Sequence, residues 1–226
     1  MKLPLANGEL TIEVAGRTLI CLAQRMLFWP AERTLFVADV HLGKAASFRA
    51  AGVQLPSGHS RHDLDRISAL LTTHQAMRLV ILGDLVHTQT SYTEALDGNF
   101  RAFRTLHSNV EMILVRGNHD RHAGDAPSEW ALNIVPEPYA LGPFACCHEP
   151  GKAAGTGIEL AGHLHPALRV QTAREGVTLP CFWRHATGIV LPAFGSLTGT
   201  FTVQLKRDES AIIIAGQQVH AIKFRE

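Results

Sequence analysis

Five short apolar segments run directly into side chains that can bind a metal or move a proton: Leu35–Ala38, Leu79–Leu82, Met112–Val115, Phe144–Cys147 and Ile158–Ala161. Continuous apolar runs of this length mark strands buried on both faces, so whatever the chain folds into must cover them from two sides. The first segment leads into Asp39-Val40-His41, the second into Gly83-Asp84, and the third into Gly117-Asn118-His119-Asp120. The fourth ends in His148 and the fifth in Gly162-His163-Leu164-His165. In an open α/β sheet, ligands bind beyond the carboxyl ends of the strands. These groups, spread from residue 39 to residue 165, are therefore expected to meet on one rim.

Helical patterns separate the runs. Asp63–His74 places Leu64, Ile67, Leu70 and Leu71 on one face, and Thr93–His107 does the same with Leu96, Phe100, Phe103 and Leu106. Strand-like segments flank this centre. Before it come Glu9–Val14, a turn at Ala15-Gly16, Thr18–Leu22, and Arg25–Trp29 closed by Pro30. After it come Phe182–Trp183, Ile189–Leu191, Thr200–Leu205 and Ala211–Ala215. The expected fold is α/β, with mixed sheets packed together and helices outside. With 226 residues and 46% hydrophobic composition, residues 1–226 are expected to form one domain rather than a disordered chain.

No apolar run approaches the roughly 18 residues of a membrane span. The N-terminal segment lacks a secretory apolar stretch. Four cysteines form no C-x-x-C pair, which favours a reducing compartment and a cytoplasmic location. A formal charge of +1 means that nucleic-acid affinity cannot rest on a generally basic surface.

The 13 histidines against 2 tyrosines direct attention to metal chemistry. Asp39, His41, Asp84, Asn118, His148, His163 and His165 supply oxygen and imidazole nitrogen and no thiolate, a set suited to Mn, Fe, Ni or Zn. Seven ligands exceed one tetrahedral ion; two divalent ions about 3.5–4 Å apart with a shared carboxylate fit. Their charge would attract a phosphate ester and stabilise its transition state. Gly83, Gly117 and Gly162 each stand close before a ligand, where a sharp turn is expected. His119 is placed to act as general acid, with Asp120 expected to orient its ring. His87, three residues after Asp84, is expected to line the site. Lys44 and Arg121 are the candidate phosphate contacts, and Arg49, Arg61, Arg66, Arg101 and Arg104 also follow ligand-bearing strand ends. His59, His62, His74, His107, His122, His185 and His220 read as solvated or capping residues.

The ordered set Asp-x-His, Gly-Asp, Gly-Asn-His-Asp, His and Gly-His-x-His resembles the calcineurin-like metallophosphoesterase superfamily over about residues 35–166. That resemblance implies a four-layer α/β/β/α sandwich of two mixed β-sheets flanked by helices. It also implies one metal on Asp39, His41, Asp84 and His165 and another on Asp84, Asn118, His148 and His163, bridged by Asp84 and a hydroxide nucleophile. Asp39-Val40-His41-Leu42-Gly43-Lys44, Leu179–Trp183 and Leu191–Gly199 are similar to the bacterial ligase-associated DNA damage response phosphoesterases. These are linked with an ATP-dependent DNA ligase and a helicase. Gly83-Asp84-Leu85-Val86-His87 resembles the corresponding stretch in the nuclease subunit of the double-strand-break repair complex.

The expected activity is therefore that of a two-metal phosphodiesterase, most readily with manganese, acting as a nuclease on DNA in repair. A phosphomonoesterase, or a small-nucleotide or pyrophosphate hydrolase, would use the same ligands. A lipid-precursor pyrophosphate hydrolase would need an apolar cap, and no amphipathic basic helix is visible. A non-catalytic scaffold on this fold, like the retromer's phosphoesterase-like subunit, typically lacks the catalytic histidine, which is present here as His119.

Overall fold

Alternate side chains along each central strand feed two different cores. The computed structural model describes residues 8–171 and 175–223. The first sheet is built from β1 (Glu9–Val14), β2 (Arg17–Leu22), β3 (Leu27–Trp29), β4 (Thr34–Val37), β5 (Arg78–Ile81), β6 (Glu111–Val115) and β7 (Asn133–Val135), in that spatial order. β1 to β4 pair antiparallel and β4 to β7 pair parallel. Leu35, Val37, Leu79, Ile81, Met112 and Leu114 join one cluster with Leu64, Ile67, Leu70, Leu71, Leu96, Phe100 and Phe103. These last belong to α2 (His59–Thr73) and α3 (Glu94–Leu106). Each such side chain taken fully out of water contributes about 1.5–3 kcal/mol.

The opposite set, Phe36, Ala38, Val80, Leu82, Ile113 and Val115, faces the second sheet. That sheet contains β8 (Tyr139–Leu141), β9 (Phe144–Cys146), β10 (Ile158–Ala161), β11 (Pro166–Gln171), β12 (Gly176–His185), β13 (Gly188–Val190), β14 (Phe201–Thr202), β15 (Ser210–Ala215) and β16 (Gln218–Lys223). Phe144, Cys146, Leu160, Phe182, Ile189, Ile212 and Ile214 complete the shared core. β9, β10 and β13 run parallel; β12 pairs antiparallel with β11, β13 and β15. Two mixed sheets with flanking helices are thus the architecture, as expected.

Details differ from the sequence expectation for identifiable reasons. β3 begins at Leu27 rather than Arg25, because Arg25 takes a left-handed φ of 68° and its N–H closes a turn onto Leu22. The segment 200–205 is strand only at Phe201–Thr202. Among the described residues, the helices' buried side chains that join an apolar cluster all join the first sheet's cluster. The outer face of the second sheet carries Cys181, Val203, Ala211 and Ile213 under partly buried Leu168 and Leu205 instead. Strands that mix partly buried with exposed residues, such as β16 and the second half of β11, leave a half-wet face that needs no helix.

Two short helices complete the description: α1 (Lys44–Ala50) directly after β4's ligand loop, and α4 (Asn118–Ala123) directly after β6. α3 starts at Thr93, whose side chain accepts the Leu96 N–H. It ends where Arg104 donates to the carbonyls of His107, Ser108 and Val110. Arg104 is therefore a helix cap and not a phosphate contact.

Candidate metal centre

The carboxyl ends of β4, β5, β6, β9 and β10 open on the same rim, and a candidate ligand stands two or three residues beyond each strand end. Asp39, His41, Asp84, His163 and His165 all have left-handed backbones, with φ of 54°, 51°, 53°, 69° and 51°. Each costs a non-glycine residue roughly 1–2 kcal/mol, and such outliers gather where function demands a direction that a relaxed backbone does not offer. Here they aim side chains into one cleft.

Among the described residues three donor groups result; one is His41, His87 and His119, which stack or stand edge-on to one another, and the other two carry the carboxylates. Asp39, His41 and His165 bring ligand atoms within 4.8 Å of one another, and so do Asp84, His148 and His163. Asp84 reaches both. Its Oδ2 lies 3.8 Å from His41 Nε2, and its Oδ1 lies 3.4 Å from His148 Nε2. Asn118 Oδ1 is 2.8 Å from the same His148 nitrogen.

The hydrogen bonds settle which nitrogens face inward. His148 Nδ1 meets the Leu82 carbonyl at 3.0 Å and His165 Nδ1 meets the Gly199 carbonyl at 3.2 Å. A carbonyl only accepts, so each Nδ1 carries the hydrogen and each Nε2 presents a lone pair. His148 Nε2 then faces Asn118 Oδ1, Asp84 Oδ1 and, at 3.1 Å, His163 Nδ1. His165 Nε2 faces Asp39 Oδ1 at 3.4 Å. Acceptors converging on one another are satisfied by a cation, and the donor set suits a divalent one.

Electrostatics agree. Burial, reinforced by Lys44 and the surrounding imidazoles, lowers the His41 pKa to about 2; burial lowers that of His87 to about 4 and also depresses His163. These rings stay neutral, which is the ligating form. Burial raises the Asp84 pKa to about 6, with Asp39 and Asp120 adding repulsion and His148 opposing. A cation in the cleft would restore that carboxylate's charge.

Gly83 has a φ of 79°, and a Cβ there would lie 2.1 Å from His148 Nδ1. Gly117 differs from the expectation of a turn. Its φ of −84° suits any residue, but a Cβ would fall 2.3 Å from Asp84 Oδ1. Gly162 likewise has no positive φ, and a Cβ there would fall 2.7 Å from Asp39 Oδ2. Close approach, not turning, is what these two positions require.

His119 donates its backbone N–H to Asp84 Oδ1 at 2.9 Å and its ring Nδ1–H to the His87 carbonyl at 2.7 Å. Its ring stacks on His87 with centroids 4.8 Å apart and stands edge-on to His41 at 4.9 Å. The expectation that Asp120 orients this ring is corrected. Asp120 is buried, and its two oxygens accept four backbone N–H groups, from Asp84, Leu85, Val86 and Gly117 at 2.7, 2.9, 3.2 and 2.9 Å. Its reach to these amides fixes the Asp84 loop, and the His87 carbonyl takes the role assigned to it. Asp120→Ala is expected to orphan these buried donors and cost more than about 3 kcal/mol in urea unfolding. A stable variant with only kcat reduced would point back to the ring.

Lys44 is half-buried on the first turn of α1 and shares a small hollow with His41, His59 and Asp63. Burial lowers its pKa, with Asp39 and Asp84 pulling it back. Arg121 is not free for phosphate: it pairs with Glu137 and Glu149 at 3.7 Å each. Arg66 and Arg101 are likewise engaged, with Asp63 and with Asp97 and Glu129; Arg61 pairs at the surface with Asp65 and Arg49 holds the Pro56 carbonyl. Sequence reading missed Glu137, whose Oε2 accepts the N–H groups of His148 at 2.8 Å and Glu149 at 2.9 Å. It also missed the Gly199 carbonyl. Neither carries a pattern signal, because the partners are backbone atoms remote in sequence.

A sandwich of two mixed sheets with carboxylate, amide and imidazole donors meeting at its rim defines a metal-dependent phosphoesterase. The chain belongs to the calcineurin-like phosphoesterase family, whose sequence model matches residues 32–177. It is similar to the nuclease MPE of Pseudomonas putida, known from a crystal structure, with 37% identity and a TM-score of 0.82 over 95% of this chain and 100% of that one. This likeness is consistent with the ligase-associated phosphoesterases. No curated protein sequence matches the chain.

Proposed function

We propose that this chain is a nuclease that hydrolyses DNA phosphodiesters with two divalent cations, manganese first among them. The observation that carries the reading is the pair of donor groups sharing Asp84. One ion would be held by Asp39, His41, Asp84 and His165, the other by Asp84, Asn118, His148 and His163. Such ions supply Lewis acidity toward phosphoryl oxygens and toward water. The protein's own residues do the rest. His119, with Nδ1–H fixed on the His87 carbonyl, has Nε2 as its proton-exchanging atom. Water adds to phosphorus and gives up a proton to solvent, the P–O bond opposite breaks, and the leaving oxygen takes the Nε2 proton of the His119 imidazolium, which solvent then replaces. Stacking of His87 on His119 restrains that ring. Lys44 binds a phosphate oxygen at the rim.

The 37% identity to a nuclease favours a diester over the alternative, a phosphomonoester or small nucleotide handled by the same ligands. Turnover of a bis-aryl phosphate is expected to exceed that of the matching aryl monophosphate, and a labelled oligonucleotide is expected to be cut with manganese. Faster monoester turnover would reverse the assignment. An ATP-dependent DNA ligase and a helicase are the proposed partners in repair, to be sought by pull-down.

A further inference from the structure

The segment following β13 lies directly against the loop that bears Asp39 and His41. Leu191 N–H bonds to Ala161 O, Phe194 N–H to Ala38 O and Gly195 N–H to Asp39 O, at 2.7, 2.9 and 3.1 Å. The approach is so close that a Cβ on Gly195 would sit 2.4 Å from Val40 O. Thr198 turns the strap back onto the Gly195 carbonyl through its hydroxyl at 2.7 Å. Gly199 O then receives His165 Nδ1–H, and Phe201 N–H bonds to His165 O. One stretch of chain thus braces Asp39 and His41 and fixes the tautomer of His165. It touches none of the other donor group's side chains in any of these bonds.

Two arginines hold the strap from below. Arg25 donates to Ala193 O at 3.1 Å. Arg66 of α2 donates to Phe194 O at 3.2 Å, to Gln24 O at 3.3 Å and to Asp63 Oδ1 at 3.0 Å. Its guanidinium lies 4.0 Å above the ring of fully buried Phe194. A planar fork that stacks and donates in several directions at once is something lysine cannot reproduce.

We propose that Arg66 is a positioning residue for half of the metal centre: by locking the 193–199 strap it sets how firmly Asp39, His41 and His165 hold their cation, without touching it. The inference rests on the two-cation reading. The strap's motif, Leu191–Gly199, thereby has a role in function as well as in closing the sheet.

The test is uptake of manganese by chelator-stripped protein, with free Mn(II) followed by electron paramagnetic resonance. In Arg66→Met, one of two uptake steps is expected to weaken about 10- to 100-fold, the range for residues that orient a ligand, while the other stays close to wild type. Arg66→Lys keeps the cation beside Asp63 and should weaken the same step less; it serves alone if the Met variant fails to fold. Arg101→Met, which removes only the surface pairs with Asp97 and Glu129, should leave both steps unchanged. A folded Arg66 variant with both steps intact, or with both weakened equally, overturns the proposal. Fewer than two ions on the unmutated protein would instead sink the two-cation reading, and the proposal with it, before any variant is made.

Discussion

Asp84→Asn is expected to strip cations from both donor groups and lower turnover by at least about 10³-fold, yet to leave the metal-free protein more stable at neutral pH than the wild type. The first effect follows from geometry. Among the described residues Asp84 has one oxygen toward each group, and an amide nitrogen in place of Oδ2 presents hydrogens where a lone pair is needed. The second follows from desolvation. Without a cation, burial raises the Asp84 pKa to about 6, above the ordinary value near 4. The folded state therefore binds this proton more tightly than the unfolded chain. The stabilisation is complete below about pH 4 and is lost as pH rises through about 6. Asn cannot ionise and still accepts the His119 N–H, so it escapes that loss. Metal analysis of the purified variant checks the first half. Melting curves in chelator from pH 4 to 8 check the second: the two proteins should converge in acid and separate above pH 6. Bound metal at wild-type levels in the variant would remove Asp84 from the centre of the site.

His119→Ala should behave in the opposite way, keeping its metal and losing about 10²–10⁴ in kcat. The ring clusters with His41 and His87 and stands outside the two groups that hold the carboxylates Asp39 and Asp84, while the backbone N–H that supports Asp84 survives the substitution. The size of the loss should depend on the leaving group. A nitrophenolate departs without a proton, so an activated aryl diester should lose little, whereas a DNA alkoxide should lose the full amount. A uniform loss across leaving groups, or metal content falling in step with activity, would remove His119 from proton transfer.

What the sequence revealed and what it concealed have the same physical origin. Strands buried on both faces are written as unbroken apolar runs, so Ile158–Ala161 coincides with β10 and the other four runs lie within a residue of β4, β5, β6 and β9. Side chains that follow such runs meet on one rim for topological reasons, which made Asp39 through His165 legible as a set. Short elements without an apolar stripe were not legible: α1 buries only Ala45, and β8 and β16 alternate partly buried and exposed residues at edges of the second sheet. Residues that act on backbone amides were misread or passed over. Asp120 looked like a partner for the neighbouring ring, yet its four partners include amides more than thirty residues away. Arg66 looked like a phosphate contact because charge is visible in a sequence, whereas the carbonyls that occupy it are not.

The candidate ligands are divided between the two sheets. Asp39, His41, Asp84 and Asn118 follow strands of the first; His148, His163 and His165 follow strands of the second. Any ion gripped by both acts as a rivet across the seam where the slabs meet. At a hundredfold excess over its dissociation constant, such an ion adds about 2.7 kcal/mol to cohesion. Holding the reagent and holding the molecule shut then become a single quantity, and a cell that starves this protein of metal would loosen its architecture along with its chemistry.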